Sequence, residues 1–327
     1  MVVITLGVIN AVQCYDLTRN QIFFCIYERT MMERKTVNKR KLLEVLVITW
    51  FLTYGIHYFG YFIRARYFNL LAPLAASDPG LHSVLRYLGH LVFWGVFAIY
   101  CFTVKGERKY FEAFLPGKGN NKISKLFLGM LIGLVMNVIC VAGAALHGDI
   151  TINGTESLNV GLFVLAFFAV LIQAANEELE SRVFFFGKLK EGGFGFLPAV
   201  VLSGMYFSYL HATNPNFGII PFISIALAGV VYLLIYVYTG SIWAACGLHQ
   251  LWNVSQDFIF GLPNSGNPSG MSILSSTANG SSFFYNTDFG VEGSIWCILV
   301  HIAVTIILLI LIKKKNIPLV KYNTMEE

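Results

Sequence analysis

Eight apolar segments of membrane-spanning length constrain this chain more than any other feature. Each holds about 20 mostly apolar residues, the length that an α-helix needs to cross a bilayer. They lie at 42–63, 84–103, 126–147, 158–183, 195–212, 217–238, 240–261 and 293–312. Charged residues make up only 13% of the 327 residues, against about 25% in an average soluble domain. The sequence therefore predicts an all-α polytopic membrane protein with about eight transmembrane helices.

The distribution of Lys and Arg orients this bundle. Basic residues cluster before the first segment, between the second and third, after the fourth and after the last. The alternate loops at 64–83, 148–157 and 262–292 hold none apart from Arg64 and Arg66. Since basic loops stay on the cytoplasmic side, both termini are expected in the cytoplasm, and the membrane is the plasma membrane if the chain is bacterial. The net charge of +5 thus reflects orientation in a bilayer and not nucleic-acid binding.

The apolar segments divide the chain into three parts. Residues 1–41 are expected to form an N-terminal arm and a basic cytoplasmic segment, 42–315 a membrane-embedded helical domain, and 316–327 a cytoplasmic tail. The six cysteines are scattered without a C-x-x-C pair. They are interpreted as small buried hydrophobic residues and not as a zinc or disulfide framework.

The fourth segment carries ionisable residues, although burying one in a bilayer costs about 2.5–3.5 kcal/mol on insertion scales. Glu178 and Arg182 are spaced i,i+4 and can form an ion pair along the helix. Glu177 is rotated about 100° from Glu178 and must point elsewhere. Glu180 lies on a different face and is expected to reach the inner interface. The alternative is that this cluster is a solvated cap that ends the helix.

Two other segments each pair a histidine with a residue one helical turn away. Phe207 and His211 share one face of the fifth segment, and His249 and Asn253 share one face of the seventh. Glu177 is expected toward the inner side of its span and His211 near the outer end, so the fifth segment must be short, tilted or displaced for them to meet. Four histidines without a polar partner at helical spacing are interpreted as packing or interfacial residues: His57, His90, His147 and His301.

Two kinds of chemistry and several non-catalytic roles fit these groups. A carboxylate in a site of low dielectric can act as general base on water, while an imidazole and an amide donate hydrogen bonds to an oxyanion. Alternatively, Glu177, His211 and His249 would supply three ligands to a catalytic Zn²⁺ and leave one position for water. The non-catalytic possibilities are a scaffold, an immunity factor that sequesters a peptide, and a transporter with a proton-relaying carboxylate.

The three motifs, in this order, resemble those of a known family. They are E-E-x-x-x-R (Glu177, Glu178, Arg182), F-x-x-x-H (Phe207, His211) and H-x-x-x-N (His249, Asn253). They are similar to the CPBP family of CAAX proteases and bacteriocin-processing or self-immunity proteins, which includes the type II CAAX prenyl endopeptidase. The resemblance covers residues 171–255.

The resemblance implies an intramembrane endopeptidase with a catalytic cavity inside the helix bundle. Glu177 would activate the water, His211 would help to hold it, and His249 and Asn253 would stabilise the oxyanion. Glu178, Arg182 and Phe207 would be supporting residues. The expected partners are membrane lipid and a membrane-associated peptide or protein substrate, with no nucleic acid. A metal-free mechanism is favoured, with Zn²⁺ as the alternative cofactor. A non-catalytic immunity or peptide-binding protein on the same fold is the alternative function.

Overall fold

The computed structural model describes residues 39–76, 78–154 and 158–317. Most of the expected arm at 1–41 and of the expected tail at 316–327 lies outside these residues. The helices are α1 Lys39–Ala75, α2 Pro79–Leu88, α3 Leu91–Thr103, α4 Arg108–Glu112, α5 Ile123–His147, α6 Val160–Glu178, α7 Phe186–Glu191, α8 Phe196–Tyr209, α9 Ile219–Thr239, α10 Ile242–Val254 and α11 Ile295–Lys314. Two π-helical turns, Leu179–Phe185 and Ser255–Ile259, continue α6 and α10, and a 3₁₀ turn at Val291–Gly293 precedes α11. The all-α prediction is confirmed.

Within the described residues, six helical stretches are long and apolar enough to cross a membrane. They are Lys39–Leu71, Pro79–Thr103, Ile123–His147, Val160–Glu191, Ile219–Thr239 and Ile295–Lys314. The fifth and seventh predicted segments give shorter helices, because α8 has 14 residues and α10 has 13. The number of eight transmembrane helices therefore stays a prediction.

The outer surface of the bundle is apolar. On α1 alone, Ile48 is 65% exposed and Phe51 70% exposed. Large apolar side chains on α5 and α11, such as Leu131 and Ile307, are also exposed. Such a surface is stable in lipid and not in water, so the chain is an integral membrane protein.

The centre of the bundle is built on close contact between α5 and α10. Gly133 of α5 lies against the backbone carbonyl of Leu248, and Gly247 of α10 lies against that of Leu126. A Cβ at either position would clash with main chain, so the two helix axes can approach this closely only with glycine. The packing fixes the depth and rotation of α10, which carries His249 and Asn253.

Polar loops cover one end of the bundle. A two-stranded antiparallel sheet pairs β1 (Ile150–Asn153) with β2 (Ser275–Ala278), with Ile150 opposite Ala278. Glu292 accepts hydrogen bonds from the backbone N–H and hydroxyl of Ser265 at 2.8 and 2.7 Å and from the Trp252 indole at 3.2 Å. These contacts hold the loop at 260–294 against the end of α10.

The four cysteines in the described part of the chain, Cys101, Cys140, Cys246 and Cys297, are free and buried. This agrees with their interpretation as small hydrophobic residues. Cys14 and Cys25 lie outside the described residues.

We predict that Gly133→Ala destabilises the protein by about 1–3 kcal/mol, because a methyl group is forced against main chain that cannot rotate away. Gly95→Ala is the matched control, since a Cβ at that helical glycine meets no atom within 4 Å. Thermal unfolding of the purified protein in detergent measures both. Equal unfolding temperatures for the two variants would show that the α5–α10 contact tolerates a wider spacing.

Candidate active site

A cavity of about 160 Å³ lies among α1, α2, α6, α8, α9 and α10 and the loops that follow α8 and α10. Five of the residues singled out from the sequence line it: Glu177, Phe207, His211, His249 and Asn253. The structure therefore brings the three motifs together at one place. A water occupies about 30 Å³ in the liquid, so the cavity has room for several waters or for part of a peptide.

The wall behind this cavity contains a fully buried ion pair. Arg182 Nε lies 3.2 Å from Glu178 Oε2, and both side chains are 0% exposed, in the i,i+4 arrangement expected from the sequence. The guanidinium carbon of Arg182 lies 3.9 Å from the centroid of the Phe207 ring and 5.1 Å from that of Tyr232. Aromatic faces stabilise a desolvated cation, so Phe207 and Tyr232 supplement the single carboxylate.

His249 lies between the two adjacent glutamates. Its Nδ1 is 3.0 Å from Glu178 Oε1, so this nitrogen carries a hydrogen and donates it to the carboxylate. Its Nε2 is 3.7 Å from Glu177 Oε2, which is longer than a direct hydrogen bond. The ring is only 3% exposed. Glu178 thus fixes the orientation of the imidazole and turns Nε2 toward Glu177 and the cavity.

His211 reaches the cavity because α8 is short. The helix ends at Tyr209, and His211 follows in the next turn. Its Nδ1 donates to the carbonyl oxygen of Phe207 at 2.9 Å, which leaves Nε2 as the free nitrogen. A short fifth segment was one of the arrangements that would let Glu177 and His211 share a site, and this is the arrangement found.

Asn253 stands one turn beyond His249 on α10. Its Nδ2 donates to Gln173 Oε1 at 3.0 Å, and the residue is 4% exposed. An amide nitrogen has two hydrogens, so one Nδ2 hydrogen remains for another acceptor. Gln173 also lines the cavity and lies one turn before Glu177 on α6.

The expectation for Glu180 is wrong. Its side chain is 1% exposed and does not reach the membrane interface, because the π-helical turn Leu179–Phe185 is buried on all sides. Glu180 Oε1 accepts from the Tyr206 hydroxyl at 2.7 Å, and Oε2 lies 3.0 Å from His57 Nδ1. Glu180 therefore joins α1 and α8 to the helix that carries Glu177.

Three of the histidines without a partner at helical spacing have polar partners elsewhere in the chain. His57 and His90 line the cavity, and His90 Nδ1 lies 3.3 Å from Asn176 Oδ1. His147 lies 3.1 Å from Asp149. His301 is fully buried and contacts Cys297 on its own helix. In the sequence, only the position of His57 and His90 within apolar segments was unusual, and spacing along one helix could not reveal their partners.

Two arginines that were not predicted to be site residues, Arg64 and Arg86, also line the cavity. Arg86 Nη2 donates to Asp257 Oδ2 at 3.1 Å, and the same oxygen accepts from the Tyr87 hydroxyl at 2.8 Å. Arg64 Nη2 donates to the Arg86 carbonyl oxygen at 3.1 Å. These contacts join the far part of α1 to α2 and to the end of α10.

The three candidate zinc ligands do not form a metal site in this structure. Within the described residues, no group of three or more His, Cys, Asp or Glu side chains converges closely enough to hold a metal ion. Glu177 and His249 are close to each other, but a catalytic zinc needs three protein ligands at about 2.0–2.2 Å.

Residues 159–255 match the family model of the type II CAAX prenyl endopeptidase Rce1-like proteins. This segment is similar to the Rce1-like family. The Rce1-like segment runs from the N-cap of α6 to the residue after α10 and includes all seven motif residues, so the resemblance drawn from the motifs is confirmed. The matched family is one of peptidases of the CAAX-type intramembrane endopeptidase class. No curated protein and no solved structure matches the chain.

We predict that Glu180→Ala lowers the free energy of unfolding by about 1–3 kcal/mol, because the buried Tyr206 hydroxyl loses its acceptor. This differs from the mild effect expected of an interfacial glutamate. Glu112→Ala removes a partly exposed ion pair with Arg108 and should change stability by less than about 1 kcal/mol. Thermal unfolding of the two variants in detergent compares them. A Glu180 variant as stable as the Glu112 variant would contradict the buried contact.

Proposed function

We propose that this chain is an intramembrane endopeptidase that hydrolyses a peptide bond of a membrane-associated peptide or protein, with a water activated by Glu177. The observation that carries the proposal is the meeting of Glu177, His211, His249 and Asn253 in one cavity. The Rce1-like family match over the same residues supports the same reaction class.

In the first step, Glu177 accepts a proton from a water as the water oxygen forms a bond to the scissile carbonyl carbon. The free Nε2 of His211 accepts the second hydrogen of that water and holds it in place. The tetrahedral intermediate then collapses, the C–N bond breaks, and the proton on Glu177 passes to the departing amine. The products are a carboxylic acid and an amine, and Glu177 returns to the carboxylate.

His249 and Asn253 form the oxyanion site. His249 Nδ1 is held by Glu178, and Nε2, when it carries a hydrogen, donates it to the developing oxyanion. Asn253 donates its remaining Nδ2 hydrogen to the same oxygen. Donors that are held in place before the reaction cost little reorganisation, and removing one typically lowers kcat by about 10²–10³-fold.

The metal-dependent reaction is the other mechanism. Glu177, His211 and His249 would be the ligands of the zinc ion, and the steps above use only the protein's own groups. An assay with and without a zinc chelator, described below, distinguishes the two mechanisms.

We predict that Glu177→Gln lowers kcat by at least about 10²–10⁴-fold, the usual contribution of a general base. His211→Ala and His249→Ala should likewise abolish cleavage while the protein still folds. The assay is cleavage of an acylated, quenched peptide library by the purified protein in nanodiscs. Glu112→Gln, on the distant helix α4, is the control and should keep full activity.

Each variant is assayed with and without a strong zinc chelator. Activity that persists under chelator but is lost in Glu177→Gln supports the metal-free mechanism. Activity lost in both supports the zinc-dependent one. A folded wild type that binds the library without cleaving it would favour a peptide-binding or immunity protein, and full activity in Glu177→Gln would make the assignment of the base wrong.

A separate prediction concerns Asn253. Asn253→Ala should lower kcat by about 10²–10³-fold and leave KM within about threefold of wild type, because the lost hydrogen bond forms with the oxyanion and not with the ground-state carbonyl. Steady-state kinetics on one cleaved library member separate the two constants. A rise in KM at constant kcat would assign Asn253 to substrate binding instead.

A further inference from the structure

The loops of the bundle gather at two faces, and one of them is basic. The basic face consists of the loops, short helix and helix ends at 104–122, 188–195, 239–241 and 313–317. Lys188 contacts Glu107 at 2.7 Å and Lys109 contacts Glu191 at 2.5 Å. The backbone N–H of Asn120 donates to the Gly240 carbonyl at 2.8 Å. These contacts place the lysine-rich loops side by side.

The other face consists of the residues at 148–154, 158–159, 210–218 and 260–294, which contain neither Lys nor Arg. We call it the lysine-free face. Asn214 Nδ2 donates to the Ser265 carbonyl at 3.0 Å, and the Ser282 hydroxyl donates to Asp149 at 2.9 Å. Helix α9 runs from this face to the basic face over 21 residues. At 1.5 Å per residue the two faces are about 30 Å apart, the thickness of a bilayer core.

The cavity reaches only one of these faces. Eight of its lining residues come from the lysine-free face: Leu210, His211, Thr213, Asn214, Asn264, Ser265, Asn267 and Glu292. Thr213 is exposed at the surface. In the described part of the chain, no residue of the basic-face loops lines the cavity. Toward the basic face the chain from Glu177 continues into Arg182, Phe184 and Leu189, all 0% exposed.

Arg64 and Arg66, the two arginines of the segment 64–83, which otherwise contains no Lys or Arg, are compatible with this arrangement. Arg64 lines the cavity and donates to the backbone of Arg86, so its position is explained by the site. Arg66 lies over the Phe62 ring, with its guanidinium carbon 4.0 Å from the ring centroid. The basic face holds many more Lys and Arg residues than these two arginines. The orientation of a membrane protein depends on which side has the excess of Lys and Arg.

From these observations we infer that the cavity opens away from the cytoplasm and takes its substrate from the extracytoplasmic side of the membrane. Only the statement that a substrate enters the cavity rests on the proposed function, and the direction in which the cavity opens does not. The substrate class is a membrane-anchored peptide or protein whose scissile segment lies outside the cytoplasm. A tail attached to the cytoplasmic surface would have to cross about 30 Å of bilayer to reach Glu177.

Thiol labelling in intact bacterial cells tests the direction of the opening without any activity. Thr213→Cys places a thiol at the mouth of the cavity, and Lys118→Cys places one at an exposed position of the basic face. The wild type is the blank, since its described cysteines are buried. We expect a membrane-impermeant maleimide to label Thr213→Cys at least tenfold above the blank, and Lys118→Cys only after the cells are lysed. The reverse pattern would overturn the inference.

A second arm measures catalysis from each side of the membrane. The acylated, quenched peptide library is added to intact cells and to inside-out vesicles, with Glu177→Gln as the inactive control. Cleavage by intact cells supports access from outside, and cleavage by inside-out vesicles alone contradicts it. If Thr213→Cys is labelled from outside but no peptide is cleaved in either preparation, the inferred direction is supported and the proposed hydrolysis is contradicted.

Discussion

The buried ion pair between Glu178 and Arg182 is the interaction on which the site depends. Moving two charges out of water costs several kcal/mol per ion, and one attractive contact at 3.2 Å does not by itself offset that cost. The rings of Phe207 and Tyr232 cover the guanidinium, and His249 donates to the second carboxylate oxygen. The ion pair therefore requires α6, α8, α9 and α10 to lie side by side at the same depth in the bundle. The same arrangement of helices forms the cavity.

Two adjacent glutamates serve different purposes because a helix separates them by about 100°. Glu178 pairs with Arg182, accepts from His249 Nδ1 and is fully buried. Within the described residues, the ion-pair partner of Glu177 is His249 at 3.7 Å, and the Glu177 side chain is 13% exposed in the cavity. A carboxylate that lines the cavity can bind water there, and one that is fully buried behind the cavity wall cannot. The difference between the two follows from one helical rotation and from the position of a single arginine.

Local spacing predicted the parts of the site that lie on one helix, and it failed where partners come from distant helices. The i,i+4 relations of Glu178 with Arg182 and of His249 with Asn253 are visible in the sequence, as is the apolar length of most spans. The contact of His57 with Glu180 joins residues 123 positions apart, and that of Tyr206 with Glu180 joins residues 26 apart. A single sequence has no periodic signal for such contacts, so Glu180 was assigned to an interface.

The short length of α8 also follows from the geometry of the site. The length rule for spans assumes helices that cross the whole bilayer, yet α8 ends at Tyr209 so that the His211 side chain can turn into the cavity. Non-helical backbone at membrane depth is stable only where it is buried in protein or lines a watered cavity. The polar segment after α8 meets this condition by contacting the loop at 260–294 through Asn214 and Ser265. A cavity that admits water to Glu177 therefore needs both the truncated helix and the polar loops that cover its end.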